Sequence, residues 1–416
     1  MKKKVLALLL AAATTLSLAA CGSSGNNSGG GSADTAKSDT TTEAAADTTS
    51  AAPAASSASS EASSDSGNKA ASGKTMLFYT PFIGDFGIAD MGWRAVQAAK
   101  EKYGYDVTLV EYGQDNSQAV NSLVDALDTK HYDYVVANGW YITDTVVEKS
   151  KNGEWSDINF ILYDTAPSDD FSGTNNIYGV SFAQNEGSFL AGVYSSIMSK
   201  SGKVGAVINL DAPITNDFGT GWLCGVKYAR KELGLDVTPM YSYMGEVTVQ
   251  NDYESVNVAM DNGCDYVYNV GASVSLGAMQ AADEKGGYED GKFIIGTDYD
   301  QYEYFEQQGD VVGYKSMVTS MLKNIENCTA LLLENINGEK TGIEPGNHVY
   351  GVKEGGVGLA ENDWYKENTP QDVQDQIHDL SDKIANGDIK VVSYFDFPSY
   401  DDFANYRDNV DAEFTN

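Results

Sequence analysis

Short apolar runs alternate with amphipathic segments from Lys74 almost to the carboxyl end of the chain. The runs "KTMLFYTPF", "YDVTLVEYG", "YDYVVANGW" and "NFILYD" predict buried β-strands, and "NSQAVNSLVDALDTK" predicts a helix with apolar residues every three or four positions. The alternation continues through "GKVGAVINL", "CDYVYNVG" and "KFIIGTDYD". Such β-α-β order over this length predicts an α/β fold, with parallel sheets flanked by helices on both faces.

This region spans about 340 residues, more than a typical single domain, and therefore predicts two lobes. In open α/β sheets, ligands bind beyond the carboxyl ends of the strands. The residues just past each predicted strand are therefore the first candidates for a binding site: Asp85, Trp140, Asp164, Asp211, Gly271 and Asp298.

The amino end has the pattern of a secretory signal, with three lysines before a short apolar run that ends in "LSLAAC". These small residues before Cys21 resemble the lipobox of bacterial lipoproteins. We expect residues 1–20 to be removed and Cys21 to carry the lipid that anchors the mature chain. Residues 21–73 are almost wholly Gly, Ser, Ala, Thr, Asn and Asp, a composition that predicts a disordered tether.

The formal net charge is −33, from 27 basic and 60 acidic residues. So acidic a chain argues against nucleic-acid polymers and anionic membrane faces as partners, although not against a small ligand in a cleft. Cys224, Cys264 and Cys328 are widely spaced in apolar stretches, so we expect small core residues rather than disulfides or a metal site.

Ser188 follows a glycine at the predicted start of a helix, in "NEGSFLAG", and invites comparison with a hydrolase nucleophile. That motif needs Gly-x-Ser-x-Gly and a histidine base, whereas Leu190 occupies the second glycine position and no histidine follows a predicted strand. We therefore expect a structural serine and no enzyme activity.

A secreted, tethered, two-lobed α/β chain fits the physical description of a solute receptor whose lobes close on a ligand. The segments "NEGSFLAG", "GKVGAV", "GVKYA", "NGCDYVYNVGAS", "IGTDYDQ", "TSMLKN" and "GGVGLAEN" resemble, in order and spacing, the basic membrane protein family of lipoproteins. Members are substrate-binding proteins of ABC importers, and the best understood bind purine nucleosides.

The resemblance implies a type I periplasmic-binding-protein fold whose chain crosses three times between the lobes. It assigns residues 74–183 and 317–345 to lobe one, residues 184–316 and 346–400 to lobe two, and residues 401–416 to a tail. It also implies a monomer at the extracytoplasmic face of the cell membrane that works with a permease and an ATPase, and it implies no cofactor or metal.

The resemblance also suggests ligand-binding residues. It places Asp85 on the family's first aspartate, Trp93 on or beside a stacking aromatic, and Asp164 on an aspartate that faces the base edge. Asp298 takes the position of the ribose-binding aspartate and Lys323 that of a ligand-contacting lysine.

Two further candidates come from their places after strands: Trp140, which either stacks on the base or packs near the hinge, and Gly271, which leaves room for the ligand. The chain departs from the family pattern where Ile88-Ala89 replaces Phe-Asn and where Val247 replaces a second stacking aromatic.

These departures leave a receptor for a sugar or another small polar signalling ligand as an alternative to a nucleoside receptor. A sensory or surface module without transport also fits the tether and lipid. An enzyme acting on nucleosides would need carboxylates clustered around a metal, and "DYD" at 298–300 is too little.

Overall fold

A computed structural model describes residues 73–85, 87–309, 311–339 and 342–411. The predicted signal peptide, the predicted lipidation site Cys21 and nearly all of the predicted tether lie outside these residues. Every element named below belongs to the described part of the chain.

The first sheet contains six parallel strands in the order β11-β5-β4-β3-β1-β2. Its central strands are mostly apolar and are buried along nearly their whole length, as expected for strands covered on both faces. The strands are β1 (Thr75–Thr80), β2 (Asp106–Glu111), β3 (Tyr134–Asn138), β4 (Asn159–Tyr163), β5 (Ile177–Phe182) and β11 (Gly346–Tyr350).

The second sheet has the order β12-β10-β9-β8-β6-β7, with every neighbouring pair parallel except β10 and β12. Its strands are β6 (Lys203–Ile208), β7 (Thr238–Tyr243), β8 (Tyr266–Val270), β9 (Phe293–Asp298), β10 (Met317–Lys323) and β12 (Val357–Leu359).

Twelve α-helices of the described residues connect and cover the strands. They are α1 (Ile88–Tyr103), α2 (Ala119–Thr129), α3 (Thr143–Lys151), α4 (Gln184–Met198), α5 (Pro213–Lys231), α6 (Val249–Asp261), α7 (Leu276–Glu284), α8 (Gln301–Gln308), α9 (Ile325–Ile336), α10 (Asp363–Asn368), α11 (Gln371–Ala385) and α12 (Tyr400–Asp408).

The chain passes between the two sheets three times, after β5, after β10 and after β11, which confirms the predicted two-lobed α/β fold. We call the first sheet with its helices lobe one and the second sheet with its helices lobe two. Helix α9 belongs to lobe one, because ion pairs join Arg94 to Glu326 at 2.7 Å and Lys102 to Glu334 at 3.2 Å across α1 and α9.

The strand pairing corrects the predicted lobe boundaries near the carboxyl end. Strand β10 was assigned with residues 317–345 to lobe one, but it pairs with β9 in lobe two. Strand β11 was assigned to lobe two, but it pairs with β5 in lobe one. The last two crossings lie after Lys323 and after Tyr350. The sequence of a strand does not say which neighbouring strand it pairs with.

The predicted tail from residue 401 is also corrected in its described part. Helix α12 runs through this region and buries Phe403 and Tyr406 against lobe two. By contrast, the prediction for the cysteines is confirmed, since Cys224, Cys264 and Cys328 are all buried and free.

Candidate functional site

A cavity of about 550 Å³ lies between the two sheets, within the size range of small-molecule sites. Loops after β1, β2, β3 and β4 of lobe one line it, together with the ends of β6, β8, β9 and β10 of lobe two. Carboxyl ends of parallel strands therefore converge on it from both sheets, as this fold class predicts.

Six of the seven predicted site residues line this cavity: Asp85, Trp140, Asp164, Gly271, Asp298 and Lys323. Two substituted positions of the family pattern, Ile88 and Val247, line it as well.

Trp93 does not line the cavity, so the structure corrects that prediction. Its ring packs against Phe78 of β1, with ring centroids 5.3 Å apart. Ile88 opens α1 and faces the cavity, and Trp93 five residues later is turned away by about 140° at 3.6 residues per turn. Trp93 is a packing residue of lobe one.

Lys323 and Asp164 form a buried ion pair across the base of the cavity. The ammonium nitrogen lies 2.5 Å from a carboxylate oxygen, and the side chains are 2% and 3% exposed. The ammonium also lies 4.9 Å from the ring centroid of Phe218 and 5.5 Å from that of Phe182. Such burial is tolerated because the charge has a partner carboxylate and two aromatic faces.

Asp298 ends β9 and lines the same cavity, and the residue is 7% exposed. Among the described residues, no side-chain or backbone group donates a hydrogen bond to it. Burial raises the pKa of Asp298 to about 6. The positive charge of Lys323 lowers this pKa, and the negative charges of Asp164 and Asp85 raise it further. A buried acceptor that faces a cavity without a protein donor is suited to a ligand's hydroxyl or N–H group.

Three cavity-lining residues hold the left-handed backbone conformation: Asp164 at φ 61°, Ala272 at φ 42° and Asp298 at φ 73°. They are the only such residues besides glycines in the described part of the chain. Residues other than glycine adopt this conformation rarely and at a cost, and such residues concentrate at functional sites.

Asp85 has a structural task besides facing the cavity. Its carboxylate accepts hydrogen bonds from the backbone N–H groups of Gly87, Ala89 and Asp90, at 2.9, 3.0 and 3.1 Å. Partial burial raises its pKa, and these three donors oppose the rise. Asp85 therefore caps the start of α1, next to the cavity.

Trp140 belongs to an aromatic wall on lobe one. Its ring is parallel to that of Tyr141 within 8°, with centroids 5.8 Å apart, and both line the cavity. Its backbone N–H donates to the side-chain oxygen of Asn138 at 2.9 Å, while Asn116 donates to the hydroxyl of Tyr141 at 3.1 Å. These two hydrogen bonds hold the loop that carries Trp140 and Tyr141 in the ligand-free protein.

Gly271 is required by packing as well as by its place in the cavity. A Cβ there would lie 2.3 Å from the side-chain oxygen of Asn269. Asn269 is fully buried and donates to Asp252, which in turn accepts from the backbone of Ala278.

Other cavity-lining residues escaped the sequence analysis, because no family pattern marked them and most of them do not directly follow a strand. Those from lobe one are Phe82, Tyr112, Gln114, Asn116 and Tyr141, and those from lobe two include Asn209, Ile214, Thr215, Phe218 and Thr297. The position of Asn209 directly after β6 was a usable signal, since that is where Asp164 and Gly271 also stand.

Ser188 lies inside α4, fully buried, with its hydroxyl 2.7 Å from that of Tyr268. The neighbouring Gly187 packs against Met321, where a Cβ would lie 2.8 Å from that side chain. Ser188 is enclosed and paired within the protein, so the structural interpretation holds.

The cavity combines hydrogen-bond acceptors, one paired ammonium group and an aromatic wall, a combination suited to binding a small polar molecule. In the described ranges, no group of three or more His, Cys, Asp or Glu is placed to hold a metal ion. Over the same ranges, helices of the length and apolarity needed to cross a bilayer are absent.

Comparisons with known proteins agree with this geometry. The sequence profile of the Bmp family, "ABC transporter substrate-binding protein PnrA-like", matches residues 73–393. Basic membrane protein A of Borreliella afzelii is 26% identical over 328 residues, covering 78% of this chain and 93% of that protein. Basic membrane protein A of Borreliella burgdorferi is 27% identical over 301 residues, covering 72% and 81%.

A solved solute-binding protein of an ABC transporter system from Aeropyrum pernix K1 has the same fold. It superposes with a TM-score of 0.67 at 21% identity, covering 80% of this chain and 96% of that structure. Together, the family match, the two-lobed fold and the cavity between its sheets show that the chain belongs to the Bmp family of ABC transporter substrate-binding proteins.

Proposed function

We propose that this protein binds a nucleoside, with a purine base, in the cavity between its lobes and delivers it to an ABC importer. The observation that carries the proposal is the Asp298 carboxylate, which is buried in the cavity without a protein donor. A carboxylate has two oxygens and can accept hydrogen bonds from both hydroxyls of a ribose.

The ion pair and the aromatic wall supply the remaining recognition. Lys323 can donate to an acceptor on the base edge while Asp164 accepts from a neighbouring N–H group, each bond contributing about 1.5–3 kcal/mol. Trp140 offers its ring to the face of the base, an interaction of roughly 1–3 kcal/mol. Asp85 positions the first loop through its cap, and Gly271 lets the backbone approach the ligand.

The cellular setting follows from the amino end of the chain and from its family. A lipid on Cys21 would hold the protein at the extracytoplasmic face of the membrane, beside a permease and an ATPase. We propose a monomer, since the cavity draws residues from both lobes of a single chain.

A second candidate, a receptor for a sugar, is favoured by Ile88 and Val247. Both are aliphatic and line the cavity where the family pattern has aromatics. A cavity with fewer aromatic rings gives a planar base less stacking energy, whereas the affinity for a non-planar sugar depends less on such rings.

Calorimetry of the purified full-length protein, in detergent, against adenosine, guanosine, inosine, cytidine and ribose tests the proposal. We expect a purine nucleoside to bind more tightly than cytidine or ribose. Binding of ribose without any nucleoside would favour the sugar receptor, and release of free base would show an enzyme.

The Asp298→Asn variant tests the carrying observation, because asparagine tolerates the positive φ of this position and changes only the charge and one acceptor. We expect at least about a tenfold loss of nucleoside affinity, since one charged hydrogen bond exceeds 1.4 kcal/mol. Asp300→Asn is the matched control, because Asp300 caps α8 outside the cavity. Equal affinity in Asp298→Asn and wild type would remove Asp298 from the site.

A further inference from the structure

The segment from residue 393 to 411 starts at the last residue of the family match and packs on lobe two. Phe403 of α12 is fully buried, and within the segment its ring centroid lies 5.0 Å from that of Tyr394. The ammonium of Lys227 on α5 lies 3.3 Å from the ring centroid of Tyr406 and donates to its backbone oxygen at 2.8 Å. This segment is therefore an ordered part of the lobe.

A buried carboxylate joins the start of this segment to α5. One oxygen of Asp217 accepts from the hydroxyl of Ser393 at 2.7 Å and from the backbone N–H of Tyr394 at 2.8 Å. The other oxygen accepts from the side chain of Gln184 at 2.7 Å. Asp217 is 1% exposed, so its carboxylate loses its water on folding. These donors replace the lost hydrogen bonds to water.

The same stretch of α5 forms the lobe-two wall of the ligand cavity. Ile214, Thr215 and Phe218 line it, and Phe218 directly follows Asp217. The ring of Phe218 also faces the ammonium of Lys323, at 4.9 Å. Gln184, the third partner, begins α4 directly after the first crossing between the lobes. Asp217 thus ties together the cavity wall, a crossing and the carboxyl-terminal segment.

A second, more exposed link runs in parallel. The hydroxyl of Tyr400 on α12 donates to Asp211 at 2.5 Å. Asp211 also accepts from Asn216 at 2.8 Å, and Asn216 accepts from Tyr243 at 2.7 Å. The same segment therefore also contacts the loop between β6 and α5, through the hydrogen bond from Tyr400 to Asp211.

We infer that the segment from residue 393 to 411 is a positioning element of the ligand site, acting through Asp217 on the adjacent Phe218 of the cavity wall. The inference rests on the proposed function only where it concerns nucleoside affinity. None of the described residues of this segment lines the cavity.

Hydrogen exchange of the full-length protein without ligand tests the positioning directly. In Ser393→Ala, which removes one donor to Asp217, we expect the amides of Asp217 to Thr220 to exchange at least about tenfold faster. Ser393→Thr retains the hydroxyl and should restore protection. Val373→Ala, which trims a buried side chain of α11, is the control for general loss of stability.

Phe403→Leu loosens the segment from its far side and should speed the same amides more weakly, which covers the case in which Ser393→Ala does not fold. The comparison uses a Val373→Ala protein of matched melting temperature. The inference would be overturned if these amides exchanged equally fast in that protein and in Ser393→Ala or Phe403→Leu.

Affinity provides the second readout. If wild type binds inosine or adenosine, Ser393→Ala should raise the Kd at least about fivefold at 15 °C, well below unfolding, whereas Val373→Ala should leave it within about twofold. An unchanged Kd in Ser393→Ala would contradict the inference. Failure of wild type to bind any nucleoside would contradict the proposed function, while the exchange measurement would still decide the inference.

Discussion

The ammonium nitrogen of Lys323 lies 2.5 Å from a carboxylate oxygen of Asp164, and the two residues follow strands of different sheets. Asp164 comes directly after β4 in lobe one, and Lys323 ends β10 in lobe two. The pair therefore connects the lobes at the base of the cavity, where both charges are removed from water.

Lys323→Met should strongly destabilise the protein. It leaves Asp164 buried without its partner, and breaking a buried pair from one side costs about 3–5 kcal/mol. Urea unfolding measures the loss. The double variant Lys323→Met/Asp164→Asn should recover part of it, because no full charge then remains at position 164. A double variant no more stable than the single one would show that the pair is not coupled.

Nucleoside affinity should fall as the pH drops through about 6. Burial raises the pKa of Asp298 to about 6, so the carboxylate that accepts the ligand's hydroxyls is protonated below that value. The affinity loss should approach about tenfold per pH unit at lower pH. Calorimetry between pH 5 and 8 measures it. Asp298→Asn should flatten the profile, and an unchanged slope would assign the titration to another group.

The free energy of unfolding of the ligand-free protein should change with pH in the opposite direction: the Asp298 carboxyl group should stabilise the fold more at low pH than at high pH. Its folded pKa lies above the value in the unfolded chain, so its contribution to stability is present at low pH and is lost as the pH rises through about 6. Urea unfolding of ligand-free wild type and Asp298→Asn at pH 5 and 7.5 checks the sign. The difference, wild type minus variant, should be smaller at pH 7.5.

Trp140→Ala and Trp93→Ala should have different effects. Trp140 lines the cavity, so its loss should weaken nucleoside binding by roughly 1–3 kcal/mol and ribose binding much less. Trp93 packs on Phe78, so its loss should lower the melting temperature and leave the Kd nearly unchanged. Calorimetry and thermal unfolding separate the two. A loss of affinity only in Trp93→Ala would reverse these assignments.

Val247→Phe should strengthen nucleoside binding. Val247 is 39% exposed at the cavity edge, and the ring would restore the second stacking face of the family pattern. We expect about a fivefold or greater gain for a purine nucleoside and none for ribose. Val258→Phe, at an exposed position of α6 outside the cavity, is the control. A gain for ribose, or a loss for the nucleoside, would indicate a non-planar ligand.

The sequence predicted the fold well, because short apolar runs in strict alternation with helices leave few arrangements. It also located Asp164 and Asp298, since both stand where a strand ends and parallel strands end at the same edge. Lys323 also ends a strand, but only the resemblance to a known family singled it out.

The failures share a physical cause, which is that sequence does not specify which neighbour a surface meets. The family resemblance placed Trp93 on or beside a stacking aromatic, but its angle around α1 turns it toward Phe78. Strand β10 was placed in the wrong lobe because its partner β9 is chosen by tertiary packing. Phe218 lines the cavity from the second turn of α5, and its sequence neighbours do not distinguish it from a core residue.

The left-handed backbone at Asp164 and Asp298 has a consequence for how this cavity can diverge. At such positions aspartate, asparagine and glycine are the residues that fit with least strain, so an aliphatic replacement would require the strand end to be rebuilt. These two positions of the cavity are thus best filled by a short polar side chain or by glycine. Substitutions that change the ligand are less restricted at Ile88 and Val247, because neither residue has a positive φ.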